Sequence, residues 1–203
     1  MIFKSKSLSL LACAIFMNSC LTVTADHLEK ISPSQLKTKN VQKVKIFSRW
    51  SADVSVDFQK EQVEVMKAAL YKHAFEKNLK SLDCCQLVEG PTEADVIVEG
   101  KAFEDPQTWS LFFALLTGVT LYIVPSWAKG EINMEVKVSE KGNERSYKLY
   151  DSFTLVQWLP FIVAVPFQPS LSNVADTMTE NAYFNLLSKM QKDGFLGAVS
   201  PST

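Results

Sequence analysis

The sequence predicts an α+β fold, a two-layer sandwich in which a mostly antiparallel sheet of about five strands is packed by two long helices, with two apolar segments flanking a β-hairpin. Two observations carry this expectation. The segment "GEINMEVKVS" alternates strictly, with Ile132, Met134, Val136 and Val138 set against Glu131, Asn133, Glu135 and Lys137, and "EKGNE" turns it back into "RSYKLYDSFTL". Two long stretches, Phe58 to Leu82 and Leu171 to Lys192, instead carry apolar residues at helical spacing. Strands interleaved with two such helices call for one sheet with helices packed against it.

The chain of 203 residues opens on "MIFKSKSLSLLACAIFMNSC", where Lys4 and Lys6 precede an apolar run from Leu8 to Met17. Charge followed by a short apolar core is the layout of a secretory signal, and this core is too short to span a bilayer. Its end, "MNSC", resembles the bacterial lipoprotein cleavage box. That resemblance implies residues 1–19 as signal peptide and a covalent lipid on Cys20, with cleavage near "TVTA" after Ala25 as the competing reading. Leu21 next to Cys20, with no aspartate there, implies sorting to the outer membrane, facing the periplasm. An inner-membrane-associated or a soluble periplasmic protein is the alternative.

Without the leader, 19 basic residues face 22 acidic ones, a net charge of about −3, which leaves no nucleic-acid footprint. From Leu21 to Asn40 the chain is polar and aperiodic with Pro33, so residues 20–40 read as lipidated N-terminus and tether. Residues 41–197 then read as a single α+β domain, and 198–203 as a disordered tail. "VQKVKIFSRW" supplies a first strand with Val44, Ile46 and Trp50 on one side. Asp57 stands where the first helix needs an N-cap, and Met66, Ala69, Leu70 and Ala74 make its apolar stripe. "CCQLVE" and "ADVIVEGKAF" are two further strands; in an extended segment Cys84 and Cys85 face opposite ways, so one buried and one exposed thiol is expected. On the last helix Val174, Met178, Ala182, Leu186 and Met190 line one face, and Gly194 stops it.

Two apolar stretches remain, "WSLFFALLTGVTLYIVPSW" from Trp109 to Trp127 and "LVQWLPFIVAVPF" from Leu155 to Phe167. As a helix, Leu111 to Pro125 would reach roughly 22 Å against about 30 Å of hydrocarbon. Gly118 divides a helix-compatible half from the β-favouring "VTLYIV", and Pro160 and Pro166 break the second stretch. Because the hairpin is antiparallel, both stretches leave from its same end. They gather Trp109, Phe112, Phe113, Leu115, Tyr122, Ile123, Trp127, Trp158, Phe161 and Phe167, either as core beneath the last helix or as a contact surface for membrane or partner.

Catalytic constellations are not found in the sequence. His27 and His73 are its two histidines, too few for a histidine-rich metal site, and neither a phosphate-binding glycine loop nor a nucleophile elbow appears. Asp151 shares a strand face with Tyr147, Leu149 and Phe153 and reads as a buried structural acid that must find donors. At "GVTLYIVPSW" and "LYDSFTLVQWLPFIVAVPF" the chain, over Ala94 to Leu196, resembles a family of small, functionally uncharacterised bacterial envelope lipoproteins. More weakly, the β-α-β-β order ending in "ADVIVEGKAF" is similar to periplasmic accessory domains of secretion and transport assemblies. The expectation is a non-enzymatic interaction component of the cell envelope with no cofactor beyond its lipid, no metal, and an envelope protein as partner. The alternative is a carrier for an apolar ligand or lipid; an enzyme centred on Asp151 ranks last.

Overall fold

A computed structural model describes residues 20–36, 43–55, 59–104, 115, 117, 119–120, 123–158, 160 and 171–197. Strands β1 (Cys20–Thr24), β2 (Val44–Val54), β3 (Cys85–Leu87), β4 (Val96–Glu104), β5 (Ser126–Glu140) and β6 (Asn143–Gln157) form one mixed sheet in the order β1-β6-β5-β4-β2-β3. Helix α1 (Lys60–Lys80) follows β2, and α2 (Leu171–Lys192) follows β6. The backbone packs as two compact units. The first takes the described residues of Met1–Ala25, Gln107–Gly130 and Ser152–Ala175, and the second those of Asp26–Pro106, Glu131–Asp151 and Asp176–Thr203.

The α+β class holds, but the sheet has six strands and is mixed. The chain leaves β2 through α1 and returns to pair alongside it, so β3 and β4 both run parallel to β2. A crossover helix makes parallel pairing possible where a tight turn does not. β4 pairs antiparallel with β5, and β1 antiparallel with β6. The β5–β6 hairpin closes on Lys141 and Gly142, both with positive φ (45° and 89°), the two-residue turn whose twist matches its strands.

The second unit has an aromatic core built on β2. Alternation turns Ile46, Ser48, Trp50, Ala52 and Val54 inward, and β4 offers Val96, Val98 and Ala102 on the same face. Trp50 is paired in register with Gly100, and its indole fills the place a side chain at 100 would take, with ring atoms 2.3–2.6 Å from an ideal Cβ. Phe75 of α1 and Tyr183 of α2 close over this ring, each with centroids 5.5 Å from it, and Tyr183 meets it edge-on at 85°. The Trp50 Nε1–H is the buried side-chain donor left without a hydrogen-bond partner among the described residues, so packing rather than polar pairing holds the indole.

Helix α2 occupies the expected range, and the expected Val174, Met178, Ala182, Leu186 and Met190 are all buried. It ends on Gly194 at φ 89°, where Phe195 N–H reaches Met190 O (2.9 Å) and Gly194 N–H reaches Gln191 O (3.1 Å), a Schellman closure. Helix α1 differs from expectation. Its sheet-facing side carries Phe75, Asn78 and Leu79, while Met66, Ala69 and Leu70 of the expected stripe face solvent. Two apolar stripes run along this helix, and the one with the larger rings fills the space over Trp50. The expected cap, Asp57, lies outside the described residues, as does the tail 198–203.

Two local expectations are also revised. Cys84 lies in a turn rather than a strand, so the alternation argument does not apply to it; both cysteines are buried and joined as a vicinal disulfide, with Cα atoms 3.7 Å apart. The stretch expected to be a tether is ordered over residues 20–36. β1 is an edge strand, and after it His27 N–H donates to Asp151 Oδ1 (3.1 Å) and Ile31 N–H to Asn181 Oδ1 (3.0 Å), while Asn185 Nδ2 donates to Glu29 O (2.7 Å). A 3-10 turn (Pro33–Leu36) then buries Leu36.

The Trp50–Gly100 fit predicts that Gly100→Ala costs about 1–3 kcal/mol of stability, the range for overpacking a filled core. Combined with Trp50→Leu it should cost less than the sum of the two single changes, because the indole is what the new methyl meets. Chemical denaturation of the four proteins measures both quantities.

Candidate functional site

The described part of the two apolar stretches belongs to the first unit; Leu155 and Val156 are half-buried, and the other large side chains face outward. Leu115, Val119, Ile123 and Trp127 are 57–75% exposed, and Val124 and Trp158 are exposed as well. Trp109, Phe112, Phe113, Tyr122, Phe161 and Phe167 lie outside the described residues. Leu115, Thr117 and Val119 have helical backbone, with Thr117 buried. Thr120 closes the following turn: its hydroxyl donates to Thr117 O (3.2 Å), its carbonyl accepts Ile123 N–H (3.1 Å), and its Oγ1 accepts Val124 N–H (3.4 Å).

After Pro125 the chain enters β5, where alternation buries Ser126 and turns Trp127 out. The Ser126 hydroxyl donates to Gln157 Oε1 (3.2 Å), tying the first residue of β5 to the last of β6. One residue on, the Trp158 indole N–H donates to Ile123 O (3.2 Å), fastening the two apolar stretches together. β1 completes this end. Its register runs from Cys20 opposite Gln157 to Thr24 opposite Phe153, so Cys20, Gln157 and Ser126 mark the same end of three neighbouring strands. Phe153 lies over Gly130, its ring 2.3 Å from where a Cβ would stand, which brings the hairpin arms close just inside this end.

The second unit carries its own exposed apolar surface, which includes Met66 and Leu70 of the stripe that the sequence reading turned inward. Val65, Met66 and Leu70 on the outer side of α1 are 55–67% exposed. The available signal was two apolar stripes on one helix, more than a single buried face requires.

No family model matches this chain, and no curated protein matches it. Among solved structures, the chain is similar to a point variant of the PelC dodecamer from Paraburkholderia phytofirmans, at 8% identity over 83% of this chain and 97% of that one, with a TM-score of 0.34. It is also similar to a DUF4136 family protein from Bacteroides thetaiotaomicron, at 11% identity over 88% and 98%, with a TM-score of 0.30. A third, an uncharacterised protein, is 6% identical over 74% and 91%, with a TM-score of 0.33. Likeness at this level establishes neither kinship nor activity.

Apart from the Trp50 indole N–H, the second unit holds its buried acid and tyrosines in structural bonds. Asp151 is buried and receives the His27 N–H. Tyr71 donates to Glu104 Oε1 (2.7 Å), whose other oxygen pairs with Lys67 Nζ (2.9 Å). Tyr147 donates to Asp193 Oδ2 (2.6 Å) and Tyr183 to Tyr71 O (2.9 Å). Among the described residues no cluster of three or more His, Cys, Asp or Glu is arranged to hold a metal ion. An open cleft of about 350 Å³ is lined by Glu29, Ile31, Gln35, Leu36, Gln191 and Lys192, a mixture of polar and apolar surface.

Burial pushes all three hydroxyls above the usual tyrosine range, helped by the carboxylates at Tyr71 and Tyr147 and by Tyr71 at Tyr183. The folded chain thus holds these protons more tightly than the unfolded chain, whose tyrosines ionise near pH 10. Their contribution is intact below pH about 10 and is lost as pH rises further. Of the chain's five tyrosines, no more than two should ionise before alkaline unfolding. Phenolate absorbance followed alongside circular dichroism checks this, and a third phenolate in the folded protein would contradict it.

Proposed function

We propose that this protein is a membrane-anchored, periplasm-facing lipoprotein that acts as a non-enzymatic interaction component of the cell envelope. The observation that carries the interaction role is the second apolar face of α1. A helix in a two-layer domain needs one apolar face to pack; Val65, Met66 and Leu70 add another that the fold leaves in solvent. Such a stripe fits the groove of a protein partner, which would read side chains one turn apart. Anchoring comes from the leader and from Cys20, the residue its cleavage box marks.

The carrier reading is favoured less, because the space between the sheet and its helices in the second unit is filled by Trp50, Tyr71, Phe75 and Tyr183 rather than left open for a ligand. Asp151 and the buried tyrosines serve the fold in this reading.

Two outcomes are expected. Met66→Asp with Leu70→Asp should leave stability within about 0.5 kcal/mol, as for substitutions on an open surface, while abolishing the adduct captured in intact cells by a photo-crosslinking residue at position 65. A lost cooperative melt, or adducts that survive the aspartates, would remove α1 as the contact face. Separately, metabolic labelling with an alkyne fatty acid should mark the wild-type protein and fail to mark Cys20→Ala.

A further inference from the structure

We propose that the exposed apolar end of the first unit is a lipid-docking surface, on which Leu115, Val119, Ile123, Trp127 and Trp158 rest in the interfacial zone of the bilayer that holds the acyl chains of Cys20. The proposal rests on the lipoprotein reading above and adds the occupant of this surface.

The deciding constraint is reach. Had residues 20–40 been a tether, acyl chains on Cys20 would constrain nothing beyond themselves. Instead Cys20 is the first residue of β1, its backbone paired opposite Gln157. Neighbouring strands lie about 5 Å apart, and Trp158 is the next residue along β6. Acyl chains attached there leave no slack, so the end of β6 stands within about a headgroup's depth of the membrane. What lies beside it must suit that zone.

The composition suits it. The sequence carries no formal charge from Trp109 to Ala128 or from Phe153 to Gln168, and Leu115, Val119, Ile123, Val124, Trp127 and Trp158 are large apolar side chains exposed at this end. Tryptophan is enriched where hydrocarbon gives way to headgroups, because its ring is apolar and its N–H is polar. The Trp158 N–H is already satisfied by Ile123 O, so the ring can enter the interface without stranding a donor. A protein partner would have to reach the same side chains past the lipid bonded to the neighbouring strand.

The test uses the full-length protein purified from membranes and reconstituted into phosphatidylethanolamine/phosphatidylglycerol vesicles, with and without lipids brominated on the acyl chain near the headgroup. Bromolipid should quench tryptophan emission, and the quenched fraction should fall in Trp127→Phe, fall in Trp158→Phe, and fall further in the double variant. Near-ultraviolet circular dichroism confirms that each variant is folded. Emission indifferent to bromolipid overturns the proposal. So does quenching unchanged in the double variant, and so does a blue-shifted emission in native membranes that bromolipid vesicles do not reproduce, which would assign the surface to a protein.

Mass spectrometry of the same preparations separates the two readings. Acylated Cys20 without quenching leaves the lipoprotein reading standing and this surface refuted. Unacylated protein that still sediments with vesicles and is quenched refutes the anchor and retains the surface.

Discussion

The second unit depends on a single close approach, the Trp50 indole over the bare backbone of Gly100. The pairing sets β2 against β4 over the whole run from Ile46–Val96 to Val54–Glu104, since a shift of one residue would put a side chain under the ring. The indole in turn decides which side of α1 is inward, because Phe75 and Tyr71 are the residues that stack on it. Tyr183 brings in α2 by meeting both Trp50 and Phe75 edge-on and donating to the Tyr71 carbonyl. The outward apolar stripe on α1 is therefore a by-product of the same choice. Once the aromatic side is committed to the sheet, Val65, Met66 and Leu70 have no internal place left.

Polar pairing does a different job, which is to hold the chain after β1. Three side chains from later in the sequence, Asp151, Asn181 and Asn185, engage the backbone at His27, Ile31 and Glu29. Each bond satisfies a backbone group that a polar, aperiodic segment could not satisfy within itself. Asp151 thus has a concrete structural role, capping the strap that follows β1.

Where one strong periodic signal stood alone, the sequence was a good guide. The β5–β6 hairpin and α2, with its buried face and glycine stop, follow from alternation, from 3.6-residue spacing and from Gly194, and no competing pattern overlaps them. Helix α1 was legible as a helix but not in its orientation, since its two stripes are both apolar and ring size, not period, decides between them. β1 was hidden because five residues, "CLTVT", are too few to establish alternation, and the side chains that order the strap lie more than a hundred residues away. The parallel pairing of β2 with β3 and β4 depends on the path of the chain through α1, which local pattern does not encode. For the apolar stretches, composition marked Leu115, Ile123, Trp127 and Trp158 but could not say that they face outward; the turn closed by Thr120 and the entry into β5 do that.

The position of Cys20 at the head of a paired strand also orders events in time. Enzymes that cleave a leader and acylate a cysteine act on accessible, extended chain, and a backbone already hydrogen-bonded along β6 does not offer it. If Cys20 is processed, β1 joins the sheet only afterwards, and until then the flank of β6 presents unpaired amides and carbonyls of the kind that recruit stray strands. Completion of the sheet would then wait on maturation, so that a precursor whose leader is retained leaves β6 as the open edge, the flank that β1 covers in the finished protein.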